Sequence, residues 1–482
     1  MHRLSRKFEF LFPYFISILL IIDVYNIFFH LGNLPIYSWD EARHGVSAYE
    51  MLKQGNFFVN TYQYKNDYWN LKPPLSFWAV MAGYKIAGFN ALGLRLLSGI
   101  SSLLTIIMIA AFVKKRYGKL AAILSTLILS TSKQYILNHC ARTGDADALF
   151  VLLFTASILS LLLSDRNINW LYCSGITFAL AFLTKSWHAG NIAIIIGLFL
   201  MITGRYKTLT KYNWLILFSC MIIPILAWAS VRYQYDGFEF FRQMVVYDLL
   251  QRSSAPIEGH IGGKNYYALV MYKYFGIWLT ILFGLALLYT SNNLSTLEKK
   301  SENRFYKIGI GLWVLIPLLF FSFAKTKIRW YILPVYPPLS IIIGVLASKI
   351  LMMHGKSLTK AILLLSIFFA SSTYYGQIYT ILHRQSPKLQ LSLLQKVQEN
   401  KELKGYSIFL HRTSNQQSWQ QNEVLTAELY GDLHVENGNF NDFLNKEKAL
   451  LLIQKGQESI QLIETNHLQI LFSNTWGYIV KK

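Results

Sequence analysis

Apolar and polar residues fall in long alternating blocks along this chain. The first apolar block runs from about Phe8 to Phe29. Later ones cover about Leu94–Val113, Leu120–Leu137, Ala148–Leu163, Trp170–Leu183, Ile192–Ile202, Trp214–Val231, Tyr266–Tyr289, Ile308–Phe323, Trp330–Ala347 and Leu358–Ile381. A hydrocarbon core about 30 Å thick needs roughly 20 apolar residues per helix. Lipid offers no partner to a free backbone group, so the blocks predict helices, about eleven of them transmembrane. The stretch after Pro74 is apolar but interrupted by Gly83, Lys85 and Gly88, and reads as an interfacial helix or a partial dip. Beyond residue 383 the pattern changes to polar, Gln- and Asn-rich sequence with short apolar runs at Tyr406–Leu410, Ala449–Ile453 and Leu468–Phe472. These read as strands mixed with helices. The predicted fold class is therefore an all-α polytopic membrane protein with a small C-terminal α/β extramembrane domain. Residues 1–383 form the membrane domain, with a large first outer loop at 30–94, and residues 384–482 form the small soluble domain. No internal repeat is visible.

The polar stretches sort into two sets. Residues 1–7, Lys114–Lys119, Asp165–Arg166, Gly204–Lys207, Lys299–Arg304 and Lys349–Lys360 are short, basic and chemically plain, as cytoplasmic loops tend to be. Residues 30–94, His139–Asp147, Lys185–His188, 232–265 and Lys325–Arg329 mix acids, bases and aromatics. An odd number of spans puts residues 384–482 on the same outer side as this second set. Composition agrees: 53% hydrophobic and 15% charged residues exclude a soluble enzyme. The net charge of +21 comes without a basic, aromatic-interleaved groove, so it predicts no nucleic-acid partner. Positive-inside loops and contacts with membrane lipids and anionic lipid phosphate account for it. Three scattered cysteines, Cys140, Cys173 and Cys220, give neither a disulfide framework nor a zinc site. The basic start followed by a long apolar run without a small-residue cleavage site reads as an uncleaved first helix.

Candidate chemistry lies in the outer set. Asp40, Glu41, Arg43 and His44 stand within five residues, flanked by Tyr37, Trp39 and Tyr49. A solvated loop after a membrane helix gives the same residues, but the convergence of such clusters on one face points to an active site. Arg142, Asp145 and Asp147 sit where a helix re-enters the bilayer, a costly place for charge unless it faces a cavity, a partner or water. Capping of the helix N-terminus is the competing role for both aspartates. Lys72 precedes a rigid double proline. Lys185 ends an apolar block, Arg252 and His260 share the 232–265 loop, and Lys325, Lys327 and Arg329 precede Tyr331. Each cation alone can be a snorkelling anchor, and His188 and His260 can equally be packing residues. Together they suggest phosphate handling: a carboxylate as base, with clustered Arg and Lys on an anionic leaving group. A groove between helices suits a prenyl tail. Adjacent Asp40 and Glu41 can hold a divalent metal but specify none, and no other cofactor is expected.

The chain resembles the GT-C membrane glycosyltransferases, specifically the superfamily of protein O-mannosyltransferases and lipid A aminoarabinose transferases, over about residues 8–350. The marks are Asp-Glu-Ala-Arg at Asp40–Arg43, Lys-Pro-Pro-Leu at Lys72–Leu75, Arg142 with Asp147 five residues on, Phe-Leu-Thr-Lys at Phe182–Lys185, Arg252, and Tyr-x-Leu-Pro at Tyr331–Pro334. The resemblance implies a GT-C fold and an enzyme of the bacterial inner membrane whose active site faces the periplasm. Such an enzyme moves a sugar from polyprenyl phosphate to a lipid, glycan or protein acceptor, inverting the anomeric centre. It makes Asp40 the catalytic aspartate and Asp147 the second acidic residue, with Glu41 beside them. Lys72, Arg252 and Lys185 would hold the donor phosphate, and Arg43, Arg142, Asp145, His260 and Tyr331 would line the substrate site. Aminoarabinose transferases commonly carry Glu before the Lys-Pro motif and His five residues before the outer-loop arginine. Here those positions are Leu71 and Tyr247, so the resemblance does not carry aminoarabinose specificity, and a neutral hexose fits as well. The alternative reading is a lipid-linked glycan flippase, which calls for charges midway through several spans and inverted repeats.

Overall fold

A computed structural model describes residues 2–33, 35–37, 39–291, 300–353, 356–384, 389–411, 421–436 and 438–482. The chain divides into two compact units. The membrane unit takes Met1–Phe29, Leu71–Ser76 and Ser98–His383; the second unit takes His30–Asn70, Phe77–Leu97 and Arg384–Lys482.

The apolar blocks form helices at His2–Phe28, Ala91–Tyr117, Lys119–Ser130, Asp147–Leu163, Asn169–Lys185, Gly190–Ile202, Lys211–Asp236, Tyr266–Ser291, Lys300–Phe323, Tyr336–Met352 and Ser357–Leu382. Among the described residues eight stretches are long and apolar enough to cross a membrane. One of them, Asn169–Ile202, contains two of these helices, and Lys119–Ser130 and Asp147–Leu163 are shorter apolar helices. The protein is a multi-pass membrane protein. The block expected as one span at Leu120–Leu137 is broken: its helix stops at Ser130 and a separate turn covers Lys133–Leu137. Ser130, Thr131 and Ser132 each donate a side-chain hydroxyl to a carbonyl four residues back. Three such bonds in a row compete with the backbone ladder where it ends. Small residues set the tightest helix packing. A Cβ on Gly344 would lie 2.6 Å from the backbone nitrogen of Ser125, so Tyr336–Met352 approaches Lys119–Ser130 backbone to backbone.

In the second unit the first outer loop and the tail share one core. The loop helix Asp40–Gln54 ends on left-handed Gly55, whose N–H returns to Leu52 O. Its Ala42, Val46 and Tyr49 pack with Leu393, Leu394, Val424, Leu425, Leu450 and Ile479. The contact is close at Gly45, where a Cβ would come within 2.6 Å of Leu425 Cδ2. The expected α/β fold of the tail holds a five-stranded sheet in the spatial order His434–Val435, Ser407–His411, Ala449–Gln454, Gly477–Lys481, Gln469–Ser473. The first three strands are parallel, and Gly477–Lys481 is antiparallel to both its neighbours. Ala449–Gln454 is buried almost throughout, as a central strand covered on both faces should be.

A shared core requires residues 30–70 and the tail to lie on one side of the bilayer, so an even number of crossings must separate them. The ten apolar helices from Ala91 to Leu382 meet that condition when Asn169–Lys185 and Gly190–Ile202 cross separately. The backbone divides them at Ser186, which takes φ 43°.

Candidate active site

Four arginines can be compared by what holds them. In the second unit Arg43 makes a two-point contact with Asp67, at 2.9 and 2.8 Å, beneath the Tyr62 ring. In the membrane unit Arg142 donates to Asn26 O, Ile27 O and Phe29 O at 2.7–2.9 Å. It satisfies the orphan carbonyls at the end of the first helix, a role its sequence position did not suggest. Arg95, not singled out by sequence, grips Glu41 at 2.6 and 2.9 Å with both side chains fully buried. Arg252 differs. It lies 3.1 Å from Asp248 and 3.4 Å from Glu258, long for a guanidinium–carboxylate pair. Its backbone is fixed, however: Arg252 O and Ser253 O accept the N–H groups of Thr326 and Lys325. A rigid backbone carrying a loosely paired guanidinium suits an incoming anion.

The second cluster of the membrane unit is built where two helices meet loops. Asp147 opens the helix Asp147–Leu163, and Asp145 caps it by accepting the Asp147 N–H at 2.9 Å. Capping and a place at the membrane boundary are thus combined in one motif. Lys185, the last residue of Asn169–Lys185, pairs with the Asp147 carboxylate, and both are buried. Its ammonium also stands 5.4 Å from the Tyr331 ring centre. Ser186, next in the chain, donates to Asp248 at 3.0 Å, which ties this corner to the Arg252 segment. His139 lies flat on Trp330 at 3.5 Å and donates from Nδ1 to Asp145 Oδ2 at 2.9 Å.

The charges of Lys185, Arg252 and Lys72 all act on the His188 ring. The three cations named as phosphate ligands thus lie within electrostatic reach of one ring in the membrane unit, and Tyr331 meets that ring at 4.5 Å, edge to face. His260 joins through its backbone only as far as the bonds go, its carbonyl accepting Lys327 N–H. Donor atoms of His139, Asp145 and Asp147 lie within 4.8 Å of one another, and an imidazole with two carboxylates is a fair donor set for a divalent ion. Lys185 already supplies a positive charge to Asp147, so the set is partly engaged.

Asp40, in the second unit, is half-buried at the first position of its helix. The residue before it, Trp39, has φ 70°, a conformation that bulky side chains rarely adopt. His139, Ser186 and Glu258 share positive φ, at 55°, 43° and 56°. Each such residue costs on the order of 1–3 kcal/mol and persists where its surroundings enforce it. Glu41 faces away to Arg95, and Glu50, one helix face on, accepts from Thr61 at 2.5 Å. Sequence reasoning did not select His139, Asp248, Glu258 or Arg95. His139 and Asp248 stand in the mixed-charge outer loops, which was the available signal.

Comparison with known proteins gives a consistent family. Residues 71–228 match the family described as dolichyl-phosphate-mannose-protein mannosyltransferase. An uncharacterized protein of Aquifex aeolicus is 27% identical over 358 residues, 73% of this chain and 78% of that protein. The undecaprenyl phosphate-alpha-4-amino-4-deoxy-L-arabinose arabinosyl transferase 2 of Pseudomonas fluorescens is 23% identical across 73% of this chain; the match spans 63% of that transferase. Among solved structures, ArnT from Cupriavidus metallidurans bound to undecaprenyl phosphate superposes with a TM-score of 0.74 at 14% identity, covering 97% of each chain. The Archaeoglobus fulgidus oligosaccharyltransferase gives a TM-score of 0.55 at 12% identity, over 89% of this chain and 65% of that one. The apolar architecture, the ordered motifs and these matches agree: the chain is a membrane glycosyltransferase similar to the GT-C protein mannosyltransferases and aminoarabinose transferases.

Proposed function

We propose that the protein transfers a sugar from a polyprenyl-phosphate donor to a lipid, glycan or protein acceptor on the outer face of the inner membrane. The observation that carries this reading is the loosely paired Arg252 guanidinium, tied through Asp248 and Ser186 to the buried Lys185–Asp147 pair. Such a cationic cluster, on helices that can shelter a prenyl tail, suits a lipid phosphate. In the reaction the bond from the anomeric carbon to the phosphate oxygen breaks, and a bond from that carbon to the acceptor oxygen forms. The polyprenyl phosphate leaves as a stable anion, held by the Arg252 fork and Lys72, and needs no general acid. Asp40 takes the acceptor proton, or stabilises charge at the anomeric carbon when the acceptor is already anionic. Asp147 holds Lys185 in place, and single displacement inverts the anomeric centre. Glu41, Arg43 and Arg142 support the site through their pairings, while Asp145, His260 and Tyr331 line it. If a divalent ion binds at His139, Asp145 and Asp147, it adds positive charge beside the leaving phosphate.

The test is transfer by purified protein in nanodiscs with polyprenyl phosphates carrying different sugars, read by mass spectrometry of envelope lipids, glycans and proteins offered as acceptors. Release of polyprenyl phosphate coupled to a glycosylated acceptor is expected. Movement of the intact lipid-linked sugar across the bilayer without transfer would replace this reading with a flippase.

A further inference from the structure

Two helices of the membrane unit line a cavity with small residues. Met108, Ala111 and Lys115 stand three and four residues apart and form one stripe of Ala91–Tyr117. Ala156, Ser160 and Leu163 form the matching stripe of Asp147–Leu163. Ala111, Ala156 and Ser160 are too short to fill the space, and a cavity of about 310 Å³ remains there. Tyr306, near the start of Lys300–Phe323, and Trp170, near the start of Asn169–Lys185, also line it.

This cavity is remote from the Asp147–Lys185 pair. Asp147 opens a 17-residue helix that ends at Leu163, and Lys185 closes a 17-residue helix that starts at Asn169. Each is about 25 Å long. The pair and the cavity therefore sit near opposite ends of one helix hairpin, and so near opposite leaflets. Cations gather at the cavity end, where Lys115, Arg116 and Arg166 all line the space. The Arg116 guanidinium rests 4.1 Å from the centre of the buried Tyr306 ring, which fixes the direction of its fork. Lys115 and Arg166 are exposed and make no ion pair among the described residues. Asp165 accepts from the Tyr306 hydroxyl at 3.4 Å, so one acid stands beside three cations.

Positive charge alone is common to cytoplasmic loops. Cations at an apolar cavity between helices select a ligand with an anionic head and a hydrocarbon chain. We infer that this cavity binds one anionic glycerophospholipid from the leaflet opposite the Asp147–Lys185 pair. Its phosphate sits on Lys115, Arg116 and Arg166, and part of one acyl chain lies against Ala111, Ala156 and Ser160. The Arg116 fork matches two phosphate oxygens, and Lys115 adds a point charge. A zwitterionic phospholipid offers the same chain but brings an ammonium against three cations. A polyprenyl phosphate offers the charge, but its methyl branches widen the chain that must enter the cavity. The inference is independent of the donor reading, since none of these residues belongs to the site described for it.

The experiment titrates the full-length protein in detergent with phosphatidylglycerol, with phosphatidylcholine of the same chains, or with undecaprenyl phosphate, and counts bound lipid by native mass spectrometry. Wild type should take up one phosphatidylglycerol about 10-fold or more tightly than phosphatidylcholine. Lys115→Gln combined with Arg166→Gln removes two exposed cations. It should weaken phosphatidylglycerol binding about 10- to 30-fold, at roughly a factor of five per cation, and leave phosphatidylcholine unchanged. In lipid-free detergent this variant should melt with the wild type, while phosphatidylglycerol should raise the wild-type melt more. Ala156→Leu keeps every charge and fills the gap. It should weaken phosphatidylglycerol about 5- to 20-fold, the loss of about two buried methylenes. Ala111→Leu, at an exposed position, makes the same test if Ala156→Leu does not fold. Equal affinity for the two phospholipids, or a charge variant that binds phosphatidylglycerol as wild type does, would overturn the headgroup site. Undiminished binding in the Leu variants would leave only surface attraction and overturn the chain site. Undecaprenyl phosphate that displaces phosphatidylglycerol and loses affinity in the same variants would put the carrier lipid in the cavity instead.

Discussion

Asp40 and Glu41 are adjacent and chemically alike, and the fold gives them different surroundings: Glu41 is buried against Arg95, while Asp40 is half-buried at the helix start. Both Glu41 and Arg95 have fully buried side chains. The remaining Arg95 donors reach Leu31 O at 3.0 Å and Pro35 O at 2.7 Å, and Glu41 Oε2 also accepts the Tyr37 N–H at 2.8 Å. One ion pair thus pins the chain from Leu31 to Tyr37 onto the start of the Asp40 helix. Glu41→Gln keeps the shape but turns an amide nitrogen toward one of two guanidinium nitrogens and strands a buried positive charge. Breaking such a pair from one side costs about 3–5 kcal/mol. For a unit of this size that lowers the melting temperature by roughly 2–4 °C per kcal/mol, or about 6–20 °C in all. Asp40 is half-buried at a helix start, so Asp40→Asn should melt within about 2 °C of wild type. Its turnover should fall by about 10²–10⁴-fold, the usual contribution of a positioned base. Tryptophan-fluorescence melting in detergent, run beside the transfer assay, separates the two effects. Glu41→Gln with a wild-type melt and collapsed turnover would refute the reasoning, because Glu41 would then be the chemical group. Wild-type turnover in Asp40→Asn would remove Asp40 from the mechanism.

Arg252→Lys keeps the charge but loses the planar fork, and donor KM should rise about 10- to 100-fold with little change in melting; an unchanged KM would free Arg252 from the phosphate. Burial pushes the Glu50 carboxyl up to about 7 and, with Glu50 as its neighbour, raises Glu428 well above the ordinary range. The folded second unit therefore binds more protons than the unfolded chain, so this contribution is full below pH 4.5 and is lost as pH rises through 7. Melting should fall between pH 5 and 8, and Glu50→Gln should flatten the decline; a profile indifferent to that change would count against the carboxyl pair. Engineered cysteines near Asp40, near Arg252 and in the tail should be labelled by an impermeant reagent from outside, and one at Lys115 should not; cytoplasmic labelling of the tail would reverse the topology.

Much of the fold was legible because lipid allows so few backbone arrangements. Every expected apolar block contains a helix, and the break at Ser130 lies where hydroxyls rather than apolar residues decide. The kinds of residues at the site were legible too, since mixed charge in outer loops has few other uses. Pairings were not. Glu41 finds Arg95 54 residues away, within a helix that reads as plain membrane span. Arg142 closes a helix end more than 110 residues earlier. No local period encodes such partners; they follow from which helices pack, and the chain's hydrophobic pattern is nearly silent on that. His139 was hidden for a related reason, as a single histidine shows its role only through its neighbours.

The shared core of the second unit sets a timetable for synthesis. Tyr49 and its hydrogen-bond partner Asp432 are 383 residues apart. At about 5–20 residues per second, the loop helix must wait on the order of 20–80 s for the tail. During that interval Ala42, Val46 and Tyr49 lack the tail residues that cover them. The strained approach to Asp40 cannot be locked before then, because the Trp39 N–H bonds to Gln421. A chain stopped before Gln421 would lack this core and the bond that holds Trp39. The last hundred residues thus complete the core around the Asp40 helix only after the rest of the polypeptide has been made.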